Sequence, residues 1–261
     1  MRRPNCLASS FCLVAALAIL AWGLHHLVSE YTAFPRCVTR FALLRSAILN
    51  YDVYRGGRLP SAHGPVEEGQ PKCSWRVKLL PFLEYPDLYE QYAPSHPWDN
   101  PENSRLLNEM PPSYRCPRYD GHASATPNYL AVVGPRTAWQ ATADIVRNDI
   151  PDSPATTILI VDVDNSQIQW TEPRDLSTED VMDLFTPGRS PRFPSHHPEG
   201  VYALMADGSF RVISKDTAPE VIRAMLTRDG GESLRCGSET TITPQLAVPL
   251  KPSGSKQPDN Y

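Results

Sequence analysis

A histidine and an Asp-Gly pair in the C-terminal half of the chain are the residues best suited to chemistry. His197 is followed, after nine residues, by Asp207 and Gly208. A histidine beside a carboxylate is typical of a metal site or of a pair that exchanges protons. The same residues also suit a structural role, in which Asp207-Gly208 forms a turn with positive φ and His197 hydrogen-bonds a loop backbone. We prefer the structural interpretation, because the two side chains meet only if His197 folds back over the turn.

Other signatures of catalysis or metal binding are weak in this sequence. Asp162 and Asp164 begin like a calcium loop, but Gln167 replaces its glycine and Pro173 stands where a bidentate glutamate belongs. The sequence has no Gly-x-Gly, Gly-x4-Gly-Lys, HExxH, CxxC or Gly-x-Ser-x-Gly. We therefore expect no metal, no cofactor and no catalytic residue, and predict that the protein is not an enzyme. An exported hydrolase without a recognised motif stays an alternative.

The N-terminal segment, residues 1–29, is predicted to be a membrane anchor. No charged residue occurs between Arg3 and Glu30, and Phe11–Val28 is almost wholly apolar. About 20 helical residues match a bilayer core of roughly 30 Å. This interpretation places a single-pass protein in the cell membrane with its head outside the cytoplasm. The alternative is a cleaved signal peptide, which would leave a secreted or periplasmic protein.

A helix is predicted over residues 30–58, followed by a head domain over 59–235 and a flexible polar tail over 236–261. Pro35 allows either one long kinked rod or two helices, and Gly56-Gly57 ends the helical pattern. The apolar face of this helix repeats at steps of three and four residues: Val38, Phe41, Leu44, Ile48 and Tyr51.

The head is predicted to be an α+β domain with an antiparallel sheet. Asp207-Gly208 between two apolar runs is a strong hairpin signal. The last helix is predicted to begin with a capping box formed by Thr217 and Glu220 and to end at Gly230-Gly231. The strand candidates are Asn128–Val133, Thr156–Val163, Val201–Met205 and Phe210–Ile213.

Composition narrows the function classes. The net charge is −4 and no basic run occurs, which argues against nucleic acid as a partner. The chain has 27 prolines, about twice the usual share, but 41% hydrophobic residues suffice for a packed core. We therefore expect a globular head with many loops.

The spacing of His197, Asp207 and Gly208 resembles the His-x9-Asp-Gly motif of a large family of bacterial envelope proteins of unknown function. These proteins usually carry a prepilin-type N-terminus. The family's usual Gly-Phe-Thr-Leu-Ile-Glu processing site is not found here, since no glutamate precedes Glu30. Further blocks that agree in the same order lie between Cys37 and Glu232: CVTRFALLRSAILNYDVYRGGRLP, SWRVKLLPFLE, PWDNPEN, PSYRCP, NYLAVVGP, TTILIVDV, QWTEPRDL, HPEGVYALMADGSFRVIS and LTRDGGE.

The resemblance implies a pilin-like layout, in which a hydrophobic N-terminal helix and a second helix lead into a soluble head. It implies no activity, and so predicts a structural or interaction protein held at the membrane, with envelope proteins or further copies of itself as partners. A ligand- or metal-binding head that uses His197 and Asp207 is the alternative. Cys37 and Cys116 fall where the family also has cysteines, so the resemblance predicts a disulfide between them.

Overall fold

The structure, a computed structural model, describes residues 6–64, 69, 71–119, 125–142, 145–146, 150–195, 197–232, 234–235, 241–242 and 245–246. Within the first helix it describes side chains for residues 14–24 and 34–54, and in several short strands it describes the backbone alone.

Helix α1 runs without interruption through Cys6–Tyr54 and contains Pro35. Of the two alternatives left open by Pro35, the structure has one rod and not two helices. A proline inside a helix removes one backbone hydrogen bond and costs about 3 kcal/mol, but the residues after Pro35 bury an apolar face against the head. The helix ends as predicted, since Gly56 and Gly57 adopt φ of 67° and 89°.

The predicted face of α1 is buried. Phe41 and Leu44 are fully buried, Ile48 and Tyr51 are nearly so, and Val38 is half-buried. This half of the helix therefore belongs to the core of the head.

The head is built on a five-stranded sheet with the order β2-β4-β5-β6-β8. The first three pairings are antiparallel, and β8 adds to β6 in parallel. The predicted α+β class with an antiparallel sheet is confirmed, as are the four predicted strands. The strands of the sheet are β2 (Tyr129–Ala131), β4 (Ile158–Asp162), β5 (Val201–Met205), β6 (Phe210–Ile213) and β8 (Thr241–Ile242).

Two smaller ribbons complete the strands. β1 (Arg58–Leu59) pairs with β3 (Ile145–Val146), and β7 (Leu234–Arg235) pairs with β9 (Gln245–Leu246). β8 and β9 lie in the predicted polar tail, where the sequence has no strand periodicity. Backbone pairing along a sheet edge does not require such periodicity, which is why the pattern did not reveal them.

The remaining helices are short. The α-helices are α2 (Trp75–Lys78), α3 (Pro86–Gln91), α4 (Pro101–Ser104), α5 (Thr178–Leu184) and α6 (Pro219–Leu226), and the 3-10 helices are Leu80–Leu83, Arg105–Glu109, Pro112–Tyr114 and Pro117–Tyr119.

The start predicted for α6 is wrong. Its N-cap is Ala218, with Pro219 as the first helical residue, and no side chain caps it. Proline is favoured at this first position, where its missing N–H costs nothing. The helix also ends at Leu226, because Thr227 is extended. A capping box is formed instead at α5, between Ser177 and Asp180.

The sheet separates two apolar cores. One face, with Tyr129, Tyr202 and Leu204, packs against α1 and the 3-10 helices. The other face, with Val201 and Met205, packs against α5 and α6. Side chains of a strand alternate between faces, so β5 contributes to both cores. His197, Cys37 and Cys116 are buried on the α1 face.

Candidate functional site

His197 is buried at the entrance of β5 and faces a carboxylate on the neighbouring strand. Nε2 of His197 lies 3.0 Å from Oδ2 of Asp162, the last residue of β4, and both side chains are fully buried. A tautomer with the proton on Nε2 donates to this carboxylate. Nδ1 of His197 and Oδ1 of Asp162 have no hydrogen-bond partner among the described residues.

Burial sets the electrostatics of this pair. It raises the pKa of the Asp162 carboxyl above its usual range, because an apolar surrounding disfavours the charged form. The hydrogen bond and charge of His197 offset part of this rise, and a hydrogen bond from Cys116 offsets a smaller part. The buried carboxyl is therefore held between a desolvating core and two donors, His197 and Cys116.

Aromatic rings fix the orientation of the His197 ring. It stacks on Tyr202 with centroids 3.8 Å apart and planes 12° apart, and Tyr119 lies 5.2 Å away at 50°. Tyr202 belongs to β5, and Tyr119 ends a 3-10 helix. The imidazole is thus held by packing as well as by Asp162.

Two cysteines lie beside the His197–Asp162 pair. Sγ of Cys116 is 3.7 Å from Nε2 of His197 and 3.3 Å from Sγ of Cys37. Both cysteines are fully buried free thiols. The pKa of the Cys116 thiol is raised, chiefly by its hydrogen bond with Cys37 and next by burial.

Cys37, Cys116, Asp162 and His197 are here called the buried cluster. α1 supplies Cys37, β4 supplies Asp162, and the loops before the sheet and before β5 supply the other two. Asn128 positions Cys116, since its Oδ1 accepts from the Cys116 N–H at 3.0 Å. The cluster therefore lies where α1 meets the sheet.

The donor atoms of the cluster are close enough for a metal ion. Sγ of Cys37, Sγ of Cys116 and a ring nitrogen of His197 all lie within 4.8 Å of one another. Two thiolates and an imidazole suit zinc, which prefers tetrahedral sulfur and nitrogen ligands. The same two thiols could instead form a disulfide, which would remove both thiolates as ligands. The cluster thus has two mutually exclusive chemistries.

The structure does not bring His197 and Asp207 together. They lie at opposite ends of β5, whose five residues span about 17 Å at 3.3 Å per residue. Asp207 is exposed in the turn, and its Oδ1 accepts from the Ser209 N–H at 2.7 Å. Gly208 has φ of 84°. Asp207 and Gly208 thus form the turn of the hairpin, and the alternative in which His197 pairs with Asp207 is not formed.

The expected backbone partner of His197 is also replaced, because Asp162 binds it instead. In the sequence, Asp162 was assigned only to an incomplete calcium-loop pattern. Its position at the end of a wholly apolar strand was the available signal, since a carboxylate buried there needs a partner.

A second buried carboxylate, that of Asp175, was not predicted from the sequence. Oδ1 of Asp175 accepts from Nη2 of Arg76 at 2.6 Å and from the backbone N–H of Ala131 at 2.8 Å. Oδ2 lies 3.2 Å from Nε2 of His63, which is partly exposed at a groove of about 490 Å³. This hydrogen-bond network connects α2 to β2. No spacing motif in the sequence predicts it.

Within the part of the chain that the structure describes, no helix carries an apolar stretch long enough to cross a membrane. The predicted anchor, residues 1–29, begins outside the described residues, which start at Cys6, and the side chains described within it run from Val14 to Leu24. All the large apolar side chains described in that stretch are exposed.

Residues 36–158 match the sequence model of a family described as "Protein of unknown function (DUF1559)". The match covers just under half of the chain and is consistent with the resemblance to a family of unknown function. It includes Cys37 and Cys116, while the N-terminal segment and the His-x9-Asp-Gly motif lie outside it. No curated protein and no solved structure matches the chain.

Proposed function

We propose that this protein is a non-catalytic component of the bacterial cell envelope, held in the membrane by the first half of α1 and working through its head as a structural or interaction protein. The observation that carries the proposal is the form of α1. One continuous helix has exposed apolar side chains near its N-terminus and becomes part of the head's core after Pro35.

The exposed part of α1 supports the anchoring. Among the described side chains of residues 14–24, none is charged, and Leu20 and Trp22 are each 69% exposed. Apolar side chains exposed on consecutive turns favour contact with lipid or another apolar surface. The same arrangement, a helix that leads into an α+β head, supports a pilin-like layout.

The topology we propose is a single span with the head outside the cytoplasm. The partners would then be envelope proteins or further copies of this chain, and nucleic acid is not among them. The acidic net charge of −4 supports the last point.

The anchoring is tested by fractionating bacteria that express the full chain with a C-terminal tag. We expect the full-length protein in the membrane fraction, and digestion of the tagged head when protease is added to intact spheroplasts. Full-length protein in the soluble cytosol would overturn the proposal. A soluble exported form that begins near Ile19 or Leu24 would replace the anchor with a signal peptide.

A pair of variants sharpens this test. Leu17→Arg with Leu20→Arg places two charges in the apolar stretch, at about 2.5–3.5 kcal/mol each near the bilayer centre. We expect this variant to leave the membrane fraction. Leu17→Ala with Leu20→Ala, the matched control, should stay in it.

The buried cluster supports a covalent link within the head. We propose that Cys37 and Cys116 form a disulfide after export, because their Sγ atoms lie 3.3 Å apart and exported proteins meet an oxidising compartment. The bond would fasten α1 to the loop in front of the sheet. A pull on the helix would then be transmitted directly to the head.

The second candidate is a metal-binding head, favoured by the donor set of Cys37, Cys116 and His197. Elemental analysis of the purified full chain separates the two. One equivalent of zinc with both thiols reduced would favour the metal site, whereas a metal-free oxidised pair would favour the disulfide.

A further inference from the structure

Residues of α5 and α6 line a groove on the side of the sheet opposite α1. Its volume is about 610 Å³, which lies within the range of pockets that hold small ligands, about 300–1,000 Å³. α5 supplies Glu179 and Met182, α6 supplies Arg223 and Leu226, and Pro135 comes from the loop after β2. We call it the α5–α6 groove.

The apolar part of the groove is adaptable. Pro135 is exposed, Met182 is half-buried and Leu226 is almost fully buried. Methionine is unbranched and flexible, so it packs against apolar groups of different shapes. Apolar surface in a concave site favours a ligand with an apolar part. The groove therefore suits ligands whose apolar part varies in shape.

Two of the three arginines that line the groove already have carboxylate partners. Nε of Arg136 lies 2.8 Å from Oδ1 of Asp229, and Arg189 pairs with Asp183. The third, Arg223, is exposed on α6 and forms no ion pair with a described residue. A guanidinium donates two parallel hydrogen bonds to a carboxylate. Arg223 can therefore bind the carboxylate of a ligand.

The same groove contains a carboxylate, that of Glu179, which forms no ion pair with a described residue. Its Oε2 accepts from the Thr178 hydroxyl at 3.1 Å. The backbone N–H of Glu179 itself and, next, the Thr178 hydroxyl hold the pKa of this carboxyl below its usual range. An ionised carboxylate attracts an ammonium group and repels a second carboxylate. A ligand that carries both charges therefore suits the groove better than a simple anion.

We propose that the α5–α6 groove binds short zwitterionic peptides. Arg223 takes the terminal carboxylate, Glu179 takes the terminal ammonium group, and the apolar side chains of the peptide pack on Met182. An extended peptide of three residues is about 10 Å long, which suits a groove of this volume. The inference goes beyond the proposed interaction role. It does not depend on the membrane anchor, because the groove and α1 lie on opposite sides of the sheet.

The test measures peptide binding to the full chain in neutral detergent by isothermal titration calorimetry. The probes are the tripeptide Ala-Leu-Ala, its N-acetylated form and its C-terminal amide. Acetylation removes the ammonium charge, and amidation removes the carboxylate charge. We expect the wild type to bind the free tripeptide about fivefold more tightly than either capped form, which is the effect of one favourable exposed ion pair.

Two variants assign each end of the peptide to its partner. Arg223→Gln should bind the free tripeptide and its amide equally, and Glu179→Gln should bind the free and the acetylated tripeptide equally. Arg136→Gln is the matched control, since this arginine lines the same groove but is paired with Asp229. It should keep both preferences. All three replaced side chains are exposed, so each variant should keep the wild-type melting temperature.

The inference is wrong if the wild type binds none of the three peptides, or if it binds the capped forms as tightly as the free one. It is also wrong if Arg223→Gln still prefers the free carboxylate, because the peptide then binds elsewhere. Free leucine that binds as tightly as the tripeptide would make a single amino acid the ligand and overturn the inference as well. None of these results bears on the proposed anchoring, which membrane fractionation decides.

Discussion

Nε2 of His197 lies 3.0 Å from Oδ2 of Asp162, with both side chains fully buried between α1 and the sheet. This contact joins the loop before β5 to the last residue of β4. Of the His-x9-Asp-Gly motif, His197 is therefore part of the core, whereas Asp207 and Gly208 form a turn at the surface.

Replacing His197 with alanine should strongly destabilise the head. The variant removes the main donor of the buried Asp162 carboxyl and opens a cavity against Tyr202, so we expect a loss of about 3 kcal/mol. Asp207→Ala, in the exposed turn, should cost about 1 kcal/mol or less. Urea unfolding of the three proteins measures both values. Loss of function in His197→Ala with an unchanged stability would give His197 a functional role instead of a structural one.

The raised pKa of Asp162 predicts a pH dependence. A carboxyl that holds its proton more tightly when folded stabilises the fold fully below its unfolded pKa of about 3.9, and this stabilisation is lost as the pH rises through its folded pKa. As the pH rises above about 4, the wild type should therefore lose stability relative to Asp162→Asn. The quantity to follow is the free energy of unfolding of the wild type minus that of the variant, which should fall. Denaturant unfolding at a series of pH values tests this, with Asp207→Asn as the control. A difference that grows with pH would contradict the raised pKa.

The proposed Cys37–Cys116 bond predicts a stable oxidised form. Closing a loop between residues 79 apart stabilises the fold by about 4.5 kcal/mol in the chain-entropy account. Peptide mapping without reductant should find the linked peptides, and Cys37→Ser with Cys116→Ser should unfold at lower denaturant. Cys73 is the internal control, since its buried thiol donates to the backbone oxygen of Gly64 and not to another cysteine. A Cys37–Cys73 or Cys73–Cys116 peptide would refute the pairing.

Gly208 should tolerate asparagine better than alanine. Its φ of 84° lies in the left-handed region, which costs an alanine about 1 kcal/mol and an asparagine less. A Cβ there would lie 3.0 Å from the Arg45 side chain, which is flexible enough to move. The strain therefore comes from the backbone. Gly208→Ala should melt at a lower temperature than Gly208→Asn. Equal melting temperatures of the two variants would show that the turn relaxes.

The sequence alone determined the elements of this protein that depend on local patterns. Periodicity indicates the apolar face from Phe41 to Tyr51. The conformational range of glycine indicates the helix end at Gly56-Gly57 and the hairpin at Asp207-Gly208. Neighbouring residues carry that information, so it could be read without the fold. Cys37 and Cys116 were paired by resemblance, and the fold places their sulfur atoms 3.3 Å apart.

Only the tertiary structure decided the partners of the buried polar groups. Asp162 and His197 are 35 residues apart, and Arg76 and Asp175 are 99 apart. No periodicity links residues at such separations, because their contacts depend on how strands pair and how α1 crosses the sheet. Local patterns fix the elements, whereas packing fixes which side chains meet.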